Sequence, residues 1–258
     1  MNLKNKKALI IGIASKRSIA ASIANSFSEN GAEIALTYQN DKLKSRVEDI
    51  ANELSGGTKI LLHPCDLSSD DQIKDLKNYI KEAWGNIDII IHSAAFAPRE
   101  LLSGDFVDNI TRDGFQMAHD ISSFSFAALA KEFREIINNG GSMITLSYLG
   151  SEKVIKNYNV MGLAKASLEA NVRYMSHSLG ENNIRVNAIS AGPIKTLAAA
   201  GIGGFNEILK HVEEKSALKR NISLEEVANA AMFLASNQSS GITGQVIYVD
   251  AGFNISGV

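Results

Sequence analysis

Short apolar and β-branched runs alternate with longer helical patterns along nearly the whole chain. The runs read KALIIGI, EIALTYQ, KILLHPCD, IDIIIHSAA, GSMITLSY, RVNAISAG and QVIYVDAG. Continuous apolar strands separated by helices are typical of a parallel sheet that is covered on both faces. The pattern therefore predicts an α/β fold, specifically a Rossmann-type doubly wound parallel sheet of seven strands.

The length of the chain and its few prolines predict one domain spanning residues 1–258. The chain has 258 residues, of which 45% are hydrophobic, and only three prolines. That is enough for one sizeable core, and we find no linker and no repeat. Ser69 with Gln72 and Ser223 with Glu226 have capping-box spacing, so helices should begin there. The long glycine-containing segment 193–222 is the exception and is predicted to be a substrate-binding loop.

Charge and cysteine usage limit the function classes. A net charge of -2 and a pI near 6.2 predict no nucleic-acid partner and favour a small-molecule substrate. No stretch is long enough to span a bilayer, and the apolar run after MNLKNKK is too short for a secretory signal. The single cysteine, Cys65, fits a reducing cytosol and is predicted to be buried and inert, so we expect a cytoplasmic protein. The five histidines lack metal-ligand spacing, so no metal site is predicted.

In a doubly wound fold, ligands bind beyond the carboxyl ends of the strands. The first such turn keeps only Gly12 of the G-x-G-x-x-G fingerprint. Gly12 permits a tight turn, and Ser18 can cap a helix whose N-terminal amides would receive a pyrophosphate. A plain strand-turn-helix connection would read the same way. After the fourth strand, the small residues Ser93-Ala94-Ala95 allow a flat cofactor to approach the backbone, although tight packing would also select them.

The end of the second strand indicates which dinucleotide is preferred. Gln39 and Asp41 stand where the adenosine ribose would lie, and neither favours a 2'-phosphate. NADH is therefore predicted over NADPH, although Lys42 and Lys44 lie nearby. After the third strand, Asp66 can accept a hydrogen bond from the adenine amino group, or it can be an ordinary turn residue that leads into a helix.

The segment YNVMGLAKASLEA places Tyr158 and Lys165 seven positions apart on a predicted helix. Because each residue turns about 100°, these two differ by roughly 20° around the axis and share a face about two turns apart. In reduction of a conjugated enoyl thioester, hydride arrives at C3 while charge develops on the carbonyl oxygen at C1. The stabilising hydroxyl must then lie farther from the nicotinamide than in carbonyl reduction, so the long spacing favours enoyl reduction.

Several long motifs resemble one family across nearly the whole chain. They include GIASKRSIA, TYQNDKLK, AHDISSFSFAALAKE, SYLGSEK, KASLEANVRYM, RVNAISAGPIKTLAAAGI and GITGQVIYVDAGF. With the Tyr158-x6-Lys165 pair, these stretches resemble bacterial enoyl-acyl-carrier-protein reductases of the FabI type. That family is a divergent branch of the short-chain dehydrogenases/reductases.

The resemblance implies a role for each matching residue. Tyr158 would donate a hydrogen bond to the thioester carbonyl and its developing enolate, and Lys165 would hold the nicotinamide ribose. Tyr148 would shape the acyl pocket or assist protonation. Ala95, Tyr148 and Tyr158 would contact the substrate. The cofactor (NADH/NAD+) would be bound by the residues at matching positions: Gly12, Ser18, Ile19, Gln39, Asp66, Leu67, Ser93, Lys165, Ile194 and Thr196. Two long helices are predicted at 114–138 and 162–179, and their moderate apolar content would allow subunits to pack together. The family further implies a homotetramer and a substrate carried on acyl carrier protein.

One residue and one segment of the chain depart from the family pattern. Ala94 stands where isoleucine is common, which puts inherited expectations about aryl inhibitors in doubt. Residues 198–209 contain no lysine or arginine, although an acidic carrier protein should meet a basic surface. We therefore expect docking on the basic residues around this segment: Lys195, Lys210, Lys219 and Arg220. The alternative is that these residues form an ordinary solvated helix face.

Two other functions stay open from the residues alone. One is a short-chain dehydrogenase acting on a carbonyl or hydroxyl, against which stands Gly162 at the fourth position after Tyr158. The other is a nucleotide sensor that kept the fold and lost activity, against which stands the joint presence of Tyr158 and Lys165. Tight NADH binding without turnover would mark the sensor.

Overall fold

Seven parallel strands form one sheet in the order β3-β2-β1-β4-β5-β6-β7. The structure is a computed structural model that describes residues 1–54, 60–197, 199 and 203–256. The strands are β1 (Lys7–Ile11), β2 (Glu33–Tyr38), β3 (Leu61–Pro64), β4 (Ile87–His92), β5 (Ile137–Ser147), β6 (Arg185–Ala191) and β7 (Val246–Val249). The strand order reverses between β1 and β4, which pair directly. The predicted seven-stranded, doubly wound sheet is confirmed.

Helices cover both faces of the sheet. They are α1 (Ile19–Glu29), α2 (Asp41–Leu54), α3 (Asp70–Trp84), α4 (Phe106–Asn109), α5 (Arg112–His119), α6 (Ser125–Phe133), α7 (Asn159–Leu179), α8 (Phe205–Lys215) and α9 (Leu224–Ala235). On one face, Ile10 packs with α1, α2 and α9; on the other, Leu9 and Ile11 pack with α3, α6 and α7. Alternate side chains of β1 thus enter two different cores, which explains why its residues 8–11 are all apolar.

Both predicted helix starts are found, but only one is a complete capping box. At α9, Ser223 accepts from the backbone of Glu226, and the Glu226 side chain accepts from the Ser223 backbone. At α3, Ser69 accepts from the Gln72 backbone at 3.3 Å. The Gln72 side chain instead accepts from the Asp66 backbone at 2.8 Å. It therefore braces the turn after β3 rather than closing the box.

The stretch 114–138 was predicted to be one long helix, but the structure divides it. A π turn over Asp120–Phe124 separates α5 from α6, and the chain enters β5 at Ile137. The Ser122 hydroxyl in this turn contacts both the backbone N–H and the carbonyl of Phe96, at 3.0 and 3.1 Å. The turn therefore fastens the segment that follows β4.

The structure also changes the bounds of one predicted helix and the content of the predicted loop. The predicted helix 162–179 begins three residues earlier, at Asn159. The predicted loop 193–222 contains the helix α8, and its residues 198 and 200–202 lie outside the described part of the chain. No helix in the described part of the chain is long and apolar enough to cross a membrane.

Candidate active site

A cleft of about 920 Å³ lies beyond the carboxyl ends of the strands, where the strand order reverses. Its walls come from the segments that follow β1, β2, β3, β4, β5 and β6, together with the start of α7 and part of α8. Every residue predicted for cofactor, substrate or catalysis lines it: Gly12, Ser18, Ile19, Gln39, Asp66, Leu67, Ser93, Ala95, Tyr148, Tyr158, Lys165, Ile194 and Thr196. The fold therefore brings residues from distant parts of the sequence into one space.

Gly12 makes the tightest approach in the cleft. Its φ is +100°, and an added Cβ would lie 2.2 Å from the backbone oxygen of Ser93. The first turn therefore passes the end of β4 with no room for a side chain, a cradle suited to a dinucleotide backbone. Ser18 then caps α1 by accepting from the Ala21 N–H at 3.2 Å. The N-terminal end of this eleven-residue helix opens on the cleft, where helix amides favour a phosphate.

Gln39 and Asp66 lie side by side in the cleft. The Gln39 amide donates to the Asp66 carboxylate at 3.2 Å, and Ser68 donates through both its backbone and its hydroxyl. Burial alone would raise the pKa of Asp66, but these hydrogen bonds outweigh it and hold the pKa below its ordinary value. Asp41, which was predicted to repel a 2'-phosphate, is exposed and outside the described lining. Asp66 supplies the negative charge beside Gln39 instead.

Tyr158, Tyr148 and Lys165 meet at the inner end of the cleft. Tyr158 is the residue just before α7, in helical conformation, and is 8% exposed. The rings of Tyr148 and Tyr158 pack edge to face, with an interplanar angle of 75° and centroids 4.9 Å apart. Lys165 lies two turns along α7, is 6% exposed, and its Nζ donates to the Leu146 carbonyl at 2.6 Å. A phenol pair and an ammonium group therefore share one desolvated space.

Burial sets the protonation of these three groups. It raises the pKa of Tyr158 well above its ordinary range, with smaller contributions from Tyr148 and Glu169, and raises the pKa of Tyr148 to about 12. It lowers the pKa of Lys165 to about 8, although the Glu169 carboxylate opposes that change. Both phenols are therefore neutral donors near neutral pH, and Lys165 is the group that titrates closest to it.

Packing explains why no lysine stands four residues after Tyr158. A Cβ added at Gly162 would lie 2.6 Å from the Gly150 backbone oxygen, and one added at Gly150 would lie 2.3 Å from the Tyr158 ring. The turn before α7 thus lies directly on the helix at this point. A side chain at position 162 would push the turn and the Tyr158 ring apart, so the Tyr-x3-Lys arrangement does not fit here.

The chain matches known proteins over nearly its whole length. The family model described as "Enoyl-(Acyl carrier protein) reductase" matches residues 12–254. Two relatives named enoyl-[acyl-carrier-protein] reductase [NADH] FabI, from Salmonella typhimurium and Escherichia coli, are each 52% identical over 254 residues, covering 98% of this chain and 96% of theirs. This chain belongs to the enoyl-acyl-carrier-protein reductase family.

Solved structures of enoyl-acyl-carrier-protein reductases agree with that assignment. The Bacillus cereus enzyme, crystallised with NADP+ and an indole naphthyridinone, matches with a TM-score of 0.97 and 46% identity, over 100% of both chains. The Anaplasma phagocytophilum reductase, in complex with NAD, matches with a TM-score of 0.94 and 42% identity, over 99% of this chain and 96% of its own. The resemblance inferred from the motifs is confirmed.

The structure also reveals parts of this reductase's cleft that the motifs did not single out. The cleft is also lined by apolar side chains from several elements: Phe96, Met117, Ile121, Ile155, Met161, Phe205 and Ile208. Phe96 stays 49% exposed, as expected of a side chain that faces a ligand. Single apolar residues far apart in sequence carry no pattern that marks them as lining one cleft. No cluster of metal-ligating side chains occurs among the residues the structure describes.

Proposed function

We propose that this chain uses NADH to reduce the trans-2 double bond of enoyl-acyl-carrier-protein thioesters to saturated acyl thioesters, the last step of each fatty-acid elongation cycle. The observation that carries the proposal is the joint burial of Tyr158 and Lys165, two turns apart, in a cleft that begins at the dinucleotide-type turn of Gly12. Membership of the reductase family supports it over the whole matched range.

When bound in the cleft, the nicotinamide would supply the hydride that adds to C3 of the enoyl group, and the enolate so formed would take up a proton at C2. Tyr158 then donates a hydrogen bond to the thioester oxygen on which negative charge develops. Its phenol is suited to this because burial raises its pKa and keeps it protonated. Lys165 binds the nicotinamide ribose hydroxyls and adds positive charge near the enolate. Tyr148, packed edge to face on Tyr158, shapes the acyl pocket or assists protonation of the product.

Residues at the strand ends would hold the cofactor. Gly12 gives the pyrophosphate access to the backbone, and the start of α1 at Ser18 presents its amides. Gln39 and Asp66 would meet the adenosine, where their linked amide and carboxylate favour NADH over a 2'-phosphate. The Bacillus cereus relative was crystallised with NADP+, so the preference needs a direct comparison of both cofactors at equal concentration. Equal or better turnover with NADPH would refute it.

We further propose that an acidic carrier protein docks on basic residues beside the cleft. Arg220 forms a bidentate ion pair with Glu226, in which its two terminal nitrogens donate to the two carboxylate oxygens at 2.7 and 2.9 Å. The Lys210 Nζ lies 3.9 Å from a carboxylate oxygen of Glu214. Lys219 donates to the Glu214 backbone oxygen. Lys195 is exposed and directly follows the cleft residue Ile194, so it is the best placed of the four.

A charge reversal tests the docking surface. Replacing Lys195 and Lys210 by glutamate should raise KM for the carrier-linked substrate far more than for the coenzyme A analogue. The analogue keeps the reacting thioester but lacks the protein, so it reports the chemistry alone. Equal effects on both substrates would refute this docking surface.

We propose a cytoplasmic, single-domain subunit that assembles as a homotetramer, with 193–222 as its substrate-binding loop. Large side chains stay exposed on α5, the π turn and α7, as expected of surfaces that pack together: Phe115, Phe124, Leu163 and Tyr174. Light scattering after size exclusion gives the mass directly. A monomer mass at working concentration would refute the assembly and leave the reaction untouched.

Substrate discrimination tests the function itself. The purified protein, supplied with NADH, should oxidise it with a trans-2-enoyl thioester and not with a 3-oxoacyl thioester. Preference for the 3-oxo substrate would indicate a carbonyl-reducing dehydrogenase. Tight NADH binding without turnover of either substrate would indicate a sensor.

A further inference from the structure

Glu169 is a buried carboxylate in the catalytic helix for which the reaction described above has no role. It is 6% exposed and lies in α7, four residues after Lys165. Residues four apart on a helix lie on the same side, so Glu169 lies on the Lys165 side of α7, one turn farther along. Carboxylates are almost never buried this deeply unless their charge and acceptor oxygens are compensated.

The Glu169 carboxylate holds both ends of the segment that carries Tyr148. It accepts hydrogen bonds from the hydroxyl of Ser147, the last residue of β5, and from the hydroxyl of Ser151, at 2.7 Å, in the turn that follows. Between these serines lies Gly150, which packs on the ring of Tyr158. One carboxylate thus fixes the short segment that contacts both active-site tyrosines.

Glu169 is also the negative charge that acts on Lys165. Within the described chain no carboxylate lies within ion-pair distance of the Lys165 Nζ, which donates to the Leu146 carbonyl instead. The charge of Glu169 opposes the burial that lowers the pKa of Lys165. The other titratable groups near Lys165 are Tyr148, Tyr158 and His92; burial raises the pKa of both phenols, and the pKa of His92 falls to about 3 through burial and the nearby Lys165 charge. Near Glu169 lie Tyr248, whose pKa burial also raises, and the carboxylates of Glu152, which is hydrogen-bonded to Tyr248, and Asp250. The buried Arg185 of β6 directs its guanidinium to Leu234 and Ser239.

Resting on the function proposed above, we propose that Glu169 is a positioning residue for this reaction. Its carboxylate fixes the turn that carries Tyr148 and supplies the counter-charge for the buried ammonium of Lys165. It touches neither substrate nor cofactor and acts through these two side chains. The two roles are separable, because one depends on hydrogen-bond acceptance and the other on charge.

Glu169→Gln removes the charge and keeps the size and an acceptor oxygen. Without the carboxylate, Lys165 loses its proton at lower pH and its hold on the nicotinamide ribose weakens there. The pH at which NADH affinity falls should therefore move down by about one unit. Fluorescence titration of NADH across that range measures the shift, and Glu181→Gln, at an exposed position just past α7, is the matched control that should leave it in place.

Ser151→Ala removes one hydrogen bond and keeps the charge. The NADH profile should keep its wild-type midpoint, while kcat falls about tenfold because the Tyr148 turn loses one anchor. If Glu169→Gln does not fold, as judged by circular dichroism, Glu169→Asp keeps the charge with a shorter reach. It should then behave like Ser151→Ala, with an unshifted midpoint and a lower kcat.

Two results would overturn the proposal: an unshifted NADH midpoint in Glu169→Gln, or a shifted midpoint in Glu169→Asp. NADH binding requires no enoyl turnover, so these titrations test Glu169 even if the proposed reaction is wrong. Failure of the reaction would appear separately, as wild-type protein that binds NADH and does not reduce the enoyl thioester.

Discussion

Replacing Gly12 by alanine should damage both stability and cofactor binding. The new Cβ would lie 2.2 Å from the Ser93 oxygen, at a φ of +100°. A left-handed backbone costs an L-residue roughly 1–2 kcal/mol, and forcing an extra carbon against fixed backbone costs about 1–3 kcal/mol. The free energy of unfolding should therefore fall by roughly 2–5 kcal/mol, which lowers Tm on the order of 10 °C for a chain of this size.

Two other glycines separate the contributions. Gly85 has a φ of +76° and an added Cβ there meets nothing within 4 Å, so Gly85→Ala carries only the backbone cost. Gly241 has open space and no positive φ, so Gly241→Ala gives the baseline. Urea unfolding followed by circular dichroism, with NADH titration of each folded variant, measures both effects. If Gly12→Ala unfolds like Gly85→Ala and binds NADH normally, the close approach to Ser93 does not shape the cofactor site.

Three further outcomes follow from the protonation and burial of single groups. Tyr158→Phe should lower kcat by about 10²–10³ with NADH affinity unchanged; a similar loss of affinity would mean the phenol serves binding. Because burial lowers the pKa of Lys165 to about 8, NADH affinity in the wild type should fall as pH rises through that value, and a fall only near the ordinary lysine range would contradict this. Cys65 is buried and its pKa is raised to about 12 by burial and then by Asp66, so a thiol reagent should titrate it only in denaturant; rapid reaction of the native protein would refute this.

The sheet was predictable because its strands are built largely from apolar and β-branched runs, such as residues 8–11 of β1 and 89–91 of β4. The runs quoted from the sequence all became strands, and Ser18, Ser69 and Ser223 all cap helices. The stretch 114–138 misled because periodicity measures apolar spacing and does not reveal one extra residue in a turn. The π turn over 120–124 is hydrogen-bonded to Phe96, which comes from another part of the chain.

The lining of the cleft was predictable where a residue directly follows a strand, as for Gly12, and where helical spacing puts two residues on one face, as for Tyr158 and Lys165. Glu169 and Gly162 were not singled out for the roles that the structure gives them. A glutamate on an amphipathic helix normally faces solvent, and only the packed serines at 147 and 151 show that this one does not. The meaning of Gly162 likewise rests on its contact with Gly150. Such contacts are tertiary, so local sequence does not encode them.

The most direct test of the account is NADH oxidation by the purified protein with a trans-2-enoyl thioester, measured beside the matching 3-oxoacyl thioester. The account predicts oxidation with the enoyl substrate only, because Tyr158 and Lys165 are spaced for charge that develops away from the carbon receiving hydride. Faster oxidation with the 3-oxoacyl thioester would contradict it.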